Sequence, residues 1–256
     1  MNSPERRVII LGASNVVRSL PTVIETACSV WGRPLEILAA IGHGRSYGMT
    51  TTALGRTLPG IVQCDLWPEW QGRTQLPTAA LVTDIGNDLL FGASPVQIAG
   101  WVRQCLEVLV ARSERLIITE LPLESVAPIG PRRFLFFRSM LFPRSRLTWD
   151  EALTRGKELN DRVLALAHEF HATVVKPQTD WYGFDPIHII GPRQSEAWRH
   201  ILASWTLEEC FDASRSQRHL PWWRFARPKY REIFGVVQRC QQPSMCAADG
   251  TSLSVY

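Results

Sequence analysis

The stretch that decides the fold is residues 7–15, RVIILGASN, in which a short apolar run ends at Gly12 and delivers Ser14. An apolar run of this length bounded by glycine predicts a buried strand, and residues 16–31 then carry apolar side chains at near-helical spacing. Ser14 is therefore expected where a strand turns into a helix. A hydroxyl there lies at the carboxyl edge of the sheet, beside backbone N–H groups that can face a developing negative charge. That is a nucleophile's position, although serine at a helix start is also a common N-cap.

Length and composition bound the class of protein. With 256 residues, 45% of them hydrophobic, the chain is long enough for one sizeable α/β domain. The apolar run near the start is too short for a signal-peptide core, and no stretch reaches the roughly 18 apolar residues of a membrane span. The six cysteines are scattered without a CxxC pair, which indicates free thiols. We expect a cytoplasmic protein that holds no metal and no cofactor.

Strand and helix patterns alternate along most of the chain. The sequence predicts strands at 7–11, 35–41, 79–85, 115–121 and 172–177, and helices at 16–31, 95–112, 150–170 and 192–206. Because each crossover is long enough for parallel pairing, we expect a three-layer α/β/α fold with a mostly parallel five-stranded sheet. From about residue 207 the alternation fails. We therefore expect a domain of residues 1–206 and a Trp/Arg-rich extension, 207–256, packed on it.

Residues able to do chemistry follow the predicted strands. Gly42 and Gly44 come after the second strand, Asn87 comes after the third together with Asp88, and the loop after the fifth holds DPIH, with its aspartate at 185 and its histidine at 188. Parallel strands bring these loops to one edge of the sheet. Acyl transfer needs a nucleophilic hydroxyl, a base, a carboxylate that orients the base, and donors for the oxyanion. Singly, each of these residues has a structural explanation as a helix cap or a turn residue.

From residue 7 to about residue 206 the sequence resembles the SGNH (GDSL-like) hydrolases. The four blocks of that family occur in order as GASN, IGHGRS, GND and DPIH. The resemblance implies a flavodoxin-like fold with Ser14 as nucleophile, His188 as general base and Asp185 as the carboxylate that orients it. It also implies an oxyanion hole made by the Ser14 and Gly44 amides and the Asn87 side chain, with Gly42 as the second candidate for the glycine.

Two positions depart from the pattern of that family. Its usual GDS reads Gly12, Ala13, Ser14 here, so the aspartate that normally braces neighbouring loops is absent. Ile85 stands where a glycine is expected before the variable position of the asparagine block. Neither change removes a reacting group. A dinucleotide-binding site is a poorer match, because LGASNVV lacks the second and third glycines of GxGxxG.

The resemblance implies a cofactor-free serine esterase that cleaves an acetyl or another short acyl group from a small-molecule ester. Carbohydrate acetyl esters, lysophospholipids and acyl thioesters all remain open as substrates, because fold does not choose among them. The rival hypothesis is a catalytically silent protein of the same fold that holds an anionic partner. Esterase activity would separate the two.

Two segments combine arginine with aromatic residues. The insert, residues 130–149, places Phe134, Phe136, Phe137 and Phe142 between arginines, and a second such patch spans residues 215–231. Patches of this kind are suited to peripheral contact with anionic or lipid surfaces, and we expect no nucleic-acid partner. For the insert there are two hypotheses: its phenylalanines close the core, or they form a lid at the acyl pocket.

Overall fold

The computed structural model describes residues 3–207, 223 and 225–256. Its strands are β1 (Arg6–Leu11), β2 (Leu35–Ala40), β3 (Thr51–Ala53), β4 (Arg56–Leu58), β5 (Thr78–Val82), β6 (Arg115–Thr119), β7 (Thr173–Val175), β8 (Tyr230–Ile233), β9 (Val236–Arg239), β10 (Met245–Cys246) and β11 (Ser252–Val255). Its α-helices are α1 (Ser14–Arg18), α2 (Leu20–Trp31), α3 (Leu66–Gln71), α4 (Asn87–Leu90), α5 (Pro95–Val110), α6 (Leu123–Val126), α7 (Gly130–Leu141), α8 (Trp149–Glu169) and α9 (Gln194–Ile201).

The central sheet has the strand order β10-β11-β2-β1-β5-β6-β7. The five predicted strands are β1, β2, β5, β6 and β7, and every neighbouring pair among them is parallel, so the predicted fold is confirmed. Strand β2 lies on one side of β1, and the later parallel strands β5, β6 and β7 lie on the other. The crevice between the ends of β1 and β5 is therefore the topological switch point, where open α/β sheets bind their ligands.

Burial on both faces of β1 explains the three layers. Ile9 and Leu11 face one apolar core, which also includes residues of α5 and α8. Val8 and Ile10 face the opposite core, formed with α2 and α9. Because successive side chains of a strand point to opposite faces, a continuous apolar run is what a strand covered on both sides requires. Each such side chain contributes roughly 1.5–3 kcal/mol when fully buried.

The helix predicted over 16–31 is two helices in the structure. It breaks at Ser19, between α1 and α2, two residues before Pro21. Proline has no backbone N–H and clashes with the preceding turn, so it is tolerated only in the first turn of a helix, where α2 places it. Helices α5 and α8 begin close to their predicted starts, each with a capping box, Ser94 with Gln97 and Thr148 with Glu151. No helix in the described ranges is long and apolar enough to span a bilayer.

Residues near the C-terminal end of the chain add strands that the sequence did not predict. Strand β11 pairs in parallel with β2, and β10 pairs antiparallel with β11. Strands β8 and β9 join the hairpin β3-β4 in a separate four-stranded antiparallel sheet. All of these strands have two to four residues, too few for a periodic pattern. The division of the chain at residue 206 stays a prediction, and the 215–231 patch lies outside the described residues except for 223 and 225–231.

Candidate active site

Ser14 is the first residue of α1 and follows the end of β1 by three residues. The turn that places it there depends on Gly12. A Cβ atom at residue 12 would lie 2.8 Å from Cγ2 of Val16 and 2.9 Å from Cγ2 of Thr83, closer than real Cβ contacts allow. Glycine therefore permits the tight passage from β1 into α1, and the half-buried Ser14 side chain reaches the cavity at the sheet edge.

Ser14, His188 and Asp185 form a continuous chain of short contacts. Oγ of Ser14 lies 2.8 Å from Nε2 of His188, and Nδ1 of His188 lies 2.5 Å from Oδ2 of Asp185. When Nδ1 carries the proton facing Asp185, Nε2 is free to accept the proton of the Ser14 hydroxyl. The imidazole is buried, with 7% of the residue exposed, so water competes little for this contact. The geometry is that of a nucleophile, a base and an orienting carboxylate.

The ionisation of Asp185 is set by its neighbours. Burial disfavours the charged carboxylate, but the hydrogen bond and positive charge of His188, the Ile187 N–H and the Arg18 guanidinium outweigh it, so the pKa of Asp185 lies below its ordinary value. Oδ1 accepts the Ile187 N–H at 3.2 Å, and Nη1 of Arg18 lies 3.7 Å from Oδ2. Asp185 is thus held as a carboxylate that can stabilise a positively charged His188.

Asn15 and Asp84 brace the site, and the sequence analysis missed both. The Asp84 carboxylate accepts the backbone N–H groups of Ala13 and Asn15, at 2.9 and 3.0 Å, and the Asn15 side-chain amide at 2.8 Å. Asn15 also donates to the Ile187 carbonyl and accepts the Ile189 N–H, both at 2.9 Å, on either side of His188.

These contacts replace the brace that the sequence lacks at Ala13. Asp84, on the loop after β5, ties the start of α1, and Asn15 ties that helix to the loop of the base. The backbone φ of Asp84 is +59°, a left-handed conformation that aspartate tolerates better than most residues and that is frequent at functional sites. An aspartate directly after an apolar strand was the signal that could have identified it.

The Asn87 side chain lies at the start of α4, beside Ser14 in the lining of the same cavity. Its amide nitrogen Nδ2 is buried, and in the described part of the chain it has no hydrogen-bond partner. A buried donor without a partner costs about 1–3 kcal/mol, and a place in a cavity beside Ser14 gives this one a reason. The Asn87 amide is therefore available to an atom that the cavity receives.

The two candidate glycines differ in their surroundings. Gly42 is buried, and a Cβ there would lie 2.3 Å from Cδ1 of Leu58. Gly44 is half-buried, and its backbone φ is +60°, a conformation that residues other than glycine rarely adopt. Neither glycine lines the cavity that Ser14 and Asn87 share; Gly42 lines a second cavity instead.

Asp88 connects the glycine loop to α4. This fully buried carboxylate accepts the Ser46 hydroxyl and, at 3.1 Å, the Tyr47 N–H, while the Tyr47 hydroxyl donates to the Thr83 carbonyl at 2.7 Å. Burial raises the pKa of Asp88 to about 6, against the opposing effect of these hydrogen bonds. One network therefore positions the loop of Gly44 and the helix of Asn87 together.

The cavity beside Ser14 is largely apolar and has a volume of about 160 Å³. In other proteins an apolar cavity of about 150 Å³ holds a benzene-sized molecule. The insert supplies one wall through α7 and the residues after it, with Phe134, Phe137, Leu141, Phe142 and Leu147 in the lining. Phe137 and Phe142 are buried, whereas 54% of Phe136 is exposed. The phenylalanines of the insert thus divide between a cavity wall and the surface.

Arg133 fastens α7 to the loop of Asp185. Its Nη2 donates to the Gly183 carbonyl at 3.1 Å and to the Phe184 carbonyl, and its guanidinium lies 4.4 Å from the centroid of the Phe184 ring. Cation–π contacts of this kind contribute about 0.5–1 kcal/mol at exposed sites. The cavity wall and the acid–base loop are therefore joined directly.

Metal ligands are not grouped in the part of the chain that the structure covers. Among residues 3–207, 223 and 225–256, no three or more His, Cys, Asp or Glu side chains are placed to hold a metal ion. Five described cysteines are free thiols, and three of these, Cys28, Cys64 and Cys105, are buried.

Solved structures of other proteins are similar to this chain in fold. No protein-family model and no curated protein matches the sequence. A member of the lipolytic G-D-S-L family from Veillonella parvula is similar with a TM-score of 0.50 and 14% identity, over 78% of this chain and 97% of that one. An aryl esterase of M. smegmatis is similar with a TM-score of 0.51 and 13% identity, over 78% of this chain and 96% of that one. The chain has the fold of the SGNH (GDSL-like) hydrolases, as the sequence predicts.

Proposed function

We propose that this chain is a serine esterase that cleaves a short acyl group from a small-molecule ester, without a cofactor. The observation that carries the proposal is the chain of contacts from Ser14 through His188 to Asp185, with Ser14 in the lining of an apolar cavity. The fold by itself does not specify a reaction, whereas these side chains supply the groups that acyl transfer needs. The cytoplasmic location expected from the sequence stays a prediction.

The residues would divide the reaction between them as follows. Oγ of Ser14 attacks the acyl carbon while its proton passes to Nε2 of His188, and Asp185 stabilises the resulting positive charge. The oxyanion accepts hydrogen bonds from the Ser14 and Gly44 backbone amides and from Nδ2 of Asn87. His188 returns the proton to the departing alcohol, and water then hydrolyses the acyl-serine in the same manner. The exposure of Gly44, compared with the buried Gly42, supports Gly44 as the glycine.

Turnover of p-nitrophenyl esters by the purified protein tests the proposal. We expect hydrolysis of acyl groups from two to about six carbons, since the cavity holds an apolar group of about that size. A silent binding protein of the same fold, the rival hypothesis, would show no turnover above the buffer rate. It would also remain unlabelled by a fluorophosphonate, which reacts with an activated serine.

Replacing Asn87 by alanine should lower kcat by roughly 10²- to 10³-fold with little change in KM, because a side-chain donor to the oxyanion acts mainly in the transition state. Since Nδ2 has no partner in the described structure, the melting temperature should not fall. Steady-state kinetics and thermal unfolding check both statements. A variant that unfolds instead would identify Asn87 as a structural helix cap.

Phe137→Ala should shift the preference toward longer acyl chains, because removing a ring from the cavity wall enlarges the acyl pocket. Phe136→Ala is the matched control, since this neighbour on α7 is exposed and does not line the cavity. Truncating a buried phenylalanine can cost about 3–5 kcal/mol of stability, so Phe137→Leu serves as the milder variant. The measurement is kcat/KM across p-nitrophenyl esters of increasing chain length.

Unchanged selectivity in the folded fraction, together with a loss of cooperative unfolding, would assign Phe137 to the core alone and contradict the idea of a lid.

The outer surface of α7 supports the expected contact with anionic or lipid surfaces. Leu135, Phe136 and Met140 are about half exposed, and Arg132 is exposed beside them. That contact stays a prediction.

A further inference from the structure

A second cavity lies against the glycine loop and shares no lining residue with the apolar cavity beside Asn87. Gly42 and His43 border it, and Val17 of α1, three residues after Ser14, contributes another part of its wall. Arg56 of β4 and Arg231 of β8 complete the opposite side. The loop that carries the candidate oxyanion donor Gly44 therefore borders this second cavity, whereas none of residues 41–48 lines the acyl pocket.

The register of the small antiparallel sheet points both arginines to the same side. Arg56 is paired with Ile233, and Thr57 with Glu232. Because side chains alternate along a strand, Arg231 lies on the face of Ile233 and hence on that of Arg56. Glu232 lies on the other face with Thr57. The carboxylate nearest in sequence is therefore directed away from the two guanidinium groups.

The two guanidinium groups of this cavity are not neutralised by a carboxylate of the described chain. Among the described residues, no carboxylate lies within ion-pair distance of Arg56, Arg231 or His43, and Arg231 donates only to the neutral side chain of Gln238, at 3.0 Å. Positive charges on neighbouring side chains also repel one another here. Burial and then the positive charges of Arg56, His188 and Arg18 lower the pKa of His43, and burial with Arg56 and Arg227 lowers that of Arg231.

Helix α1 borders both cavities, because Ser14 lines the apolar cavity and Val17 lines the second one. Like charges held together without a counter-ion destabilise the fold, and in a cleft they concentrate anions. An apolar pocket on one side of the nucleophile suits an acyl chain. A second pocket on the same helix, lined by Val17 and by the guanidinium groups of Arg56 and Arg231, suits the part of the ester that departs.

We propose that the second cavity binds an anionic group, a carboxylate or a phosphate, on the alcohol part of the ester, through Arg56, Arg231 and His43. This inference rests on the proposed esterase function. It narrows the substrate class to acyl esters of acidic alcohols, a property that the apolar cavity and the nucleophile leave open.

Three acetyl esters test the proposal: phenyl acetate, 4-acetoxybenzoate and 4-acetoxyphenyl phosphate. Each is assayed with the parent protein, with the single variants Arg56→Gln and Arg231→Gln, and with the double variant. Because every variant is compared with the parent on the same ester, intrinsic reactivity cancels. Arg115→Gln is the charge control, since Arg115 is exposed at the first residue of β6, at the opposite end of the sheet.

In the double variant we expect kcat/KM for the two anionic esters to fall by about 10- to 30-fold, mainly through KM, and that for phenyl acetate to change by about twofold or less. Arg115→Gln should leave all three esters unchanged. Raising the salt concentration should reduce the preference for the anionic esters in the parent protein and not in the double variant. The carboxylate and phosphate esters together report which anion the cavity prefers.

Equal losses for neutral and anionic esters, or no loss for either, would overturn the proposal while leaving the esterase function intact. If the parent hydrolyses none of the esters, the proposed function fails. Saturation-transfer NMR with 4-hydroxybenzoate and phenol then decides whether the second cavity binds an anionic group. Binding of 4-hydroxybenzoate that disappears in the double variant would support the anion site. Absence of such binding in the parent would overturn it.

Discussion

Replacing Ser14 by alanine should lower kcat for ester hydrolysis by on the order of 10⁴-fold or more, because no other group can form the acyl-serine. The residual rate should come from substrate binding and the oxyanion donors, which the substitution leaves in place. Among the described residues the Ser14 hydroxyl forms a hydrogen bond only with His188, so its loss should change KM and the melting temperature little. Steady-state kinetics with p-nitrophenyl esters and thermal unfolding measure these quantities.

A fluorophosphonate gives an independent measure of the same assignment. The parent protein should be labelled on one serine, identified by mass spectrometry of the digest, and Ser14→Ala should not be labelled. Ser29→Ala is the matched control, since Ser29 is exposed on α2 and, within the described structure, donates only to the Thr26 carbonyl. Labelling that persists unchanged in Ser14→Ala would remove Ser14 from the role of nucleophile.

Replacing His188 by alanine should lower kcat by about 10⁴-fold or more, since the Ser14 proton then has no acceptor. Asp185→Asn should cost less than His188→Ala, because the base remains and loses only its orienting charge. The pKa of Asp185 lies below its ordinary value, so the native carboxylate stays ionised from neutral into weakly acidic pH. The asparagine variant therefore lacks a charge that the parent keeps throughout the range of the assay.

His188→Ala and Asp185→Asn are compared by their kcat, measured at saturating substrate. His168→Ala is the control for the loss of an imidazole, since His168 is exposed near the end of α8. Activity of His188→Ala equal to that of the parent would exclude His188 as the base. A loss in Asp185→Asn larger than that in His188→Ala would show that the carboxylate does more than orient the imidazole.

Much of the site was predictable because its parts are local in sequence. The run that ends at Gly12 specifies a strand and a turn, and this alone places Ser14 at the edge of a sheet. Aspartate and histidine three residues apart on one loop can reach each other by local geometry, as the 2.5 Å contact of Asp185 with His188 shows. Parallel order places this loop at the same edge of the sheet as the end of β1, although β7 is three strands from β1. The tertiary structure then brings the imidazole to 2.8 Å from Ser14.

The bracing of the site was not predictable, because it joins residues far apart in the chain. Asp84 is 71 residues from the Ala13 amide that it accepts, and Asn15 is 172 residues from the Ile187 carbonyl to which it donates. Polar residues such as these occur in many loops, and nothing in their local pattern says which backbone groups they will meet. The role of Asn87 was predicted from the resemblance, whereas the absence of a partner for its buried amide appears only in three dimensions.

The sequence by itself determined the parallel α/β sheet and the place of Ser14 after the first strand, because apolar periodicity acts over a few residues. The pairing of Asp185 with His188 was implied by the resemblance to the SGNH family. Only the tertiary structure decided that the last strands join the central sheet and the small antiparallel sheet, and that Arg56 and Arg231 share one cavity. The pairing of β4 with β8 joins Arg56 to Ile233, 177 residues away, and the pairing of β11 with β2 joins Ser252 to Glu36, 216 residues away. Which short strand closes on which edge depends on packing over the whole chain, and a local pattern carries no information about it.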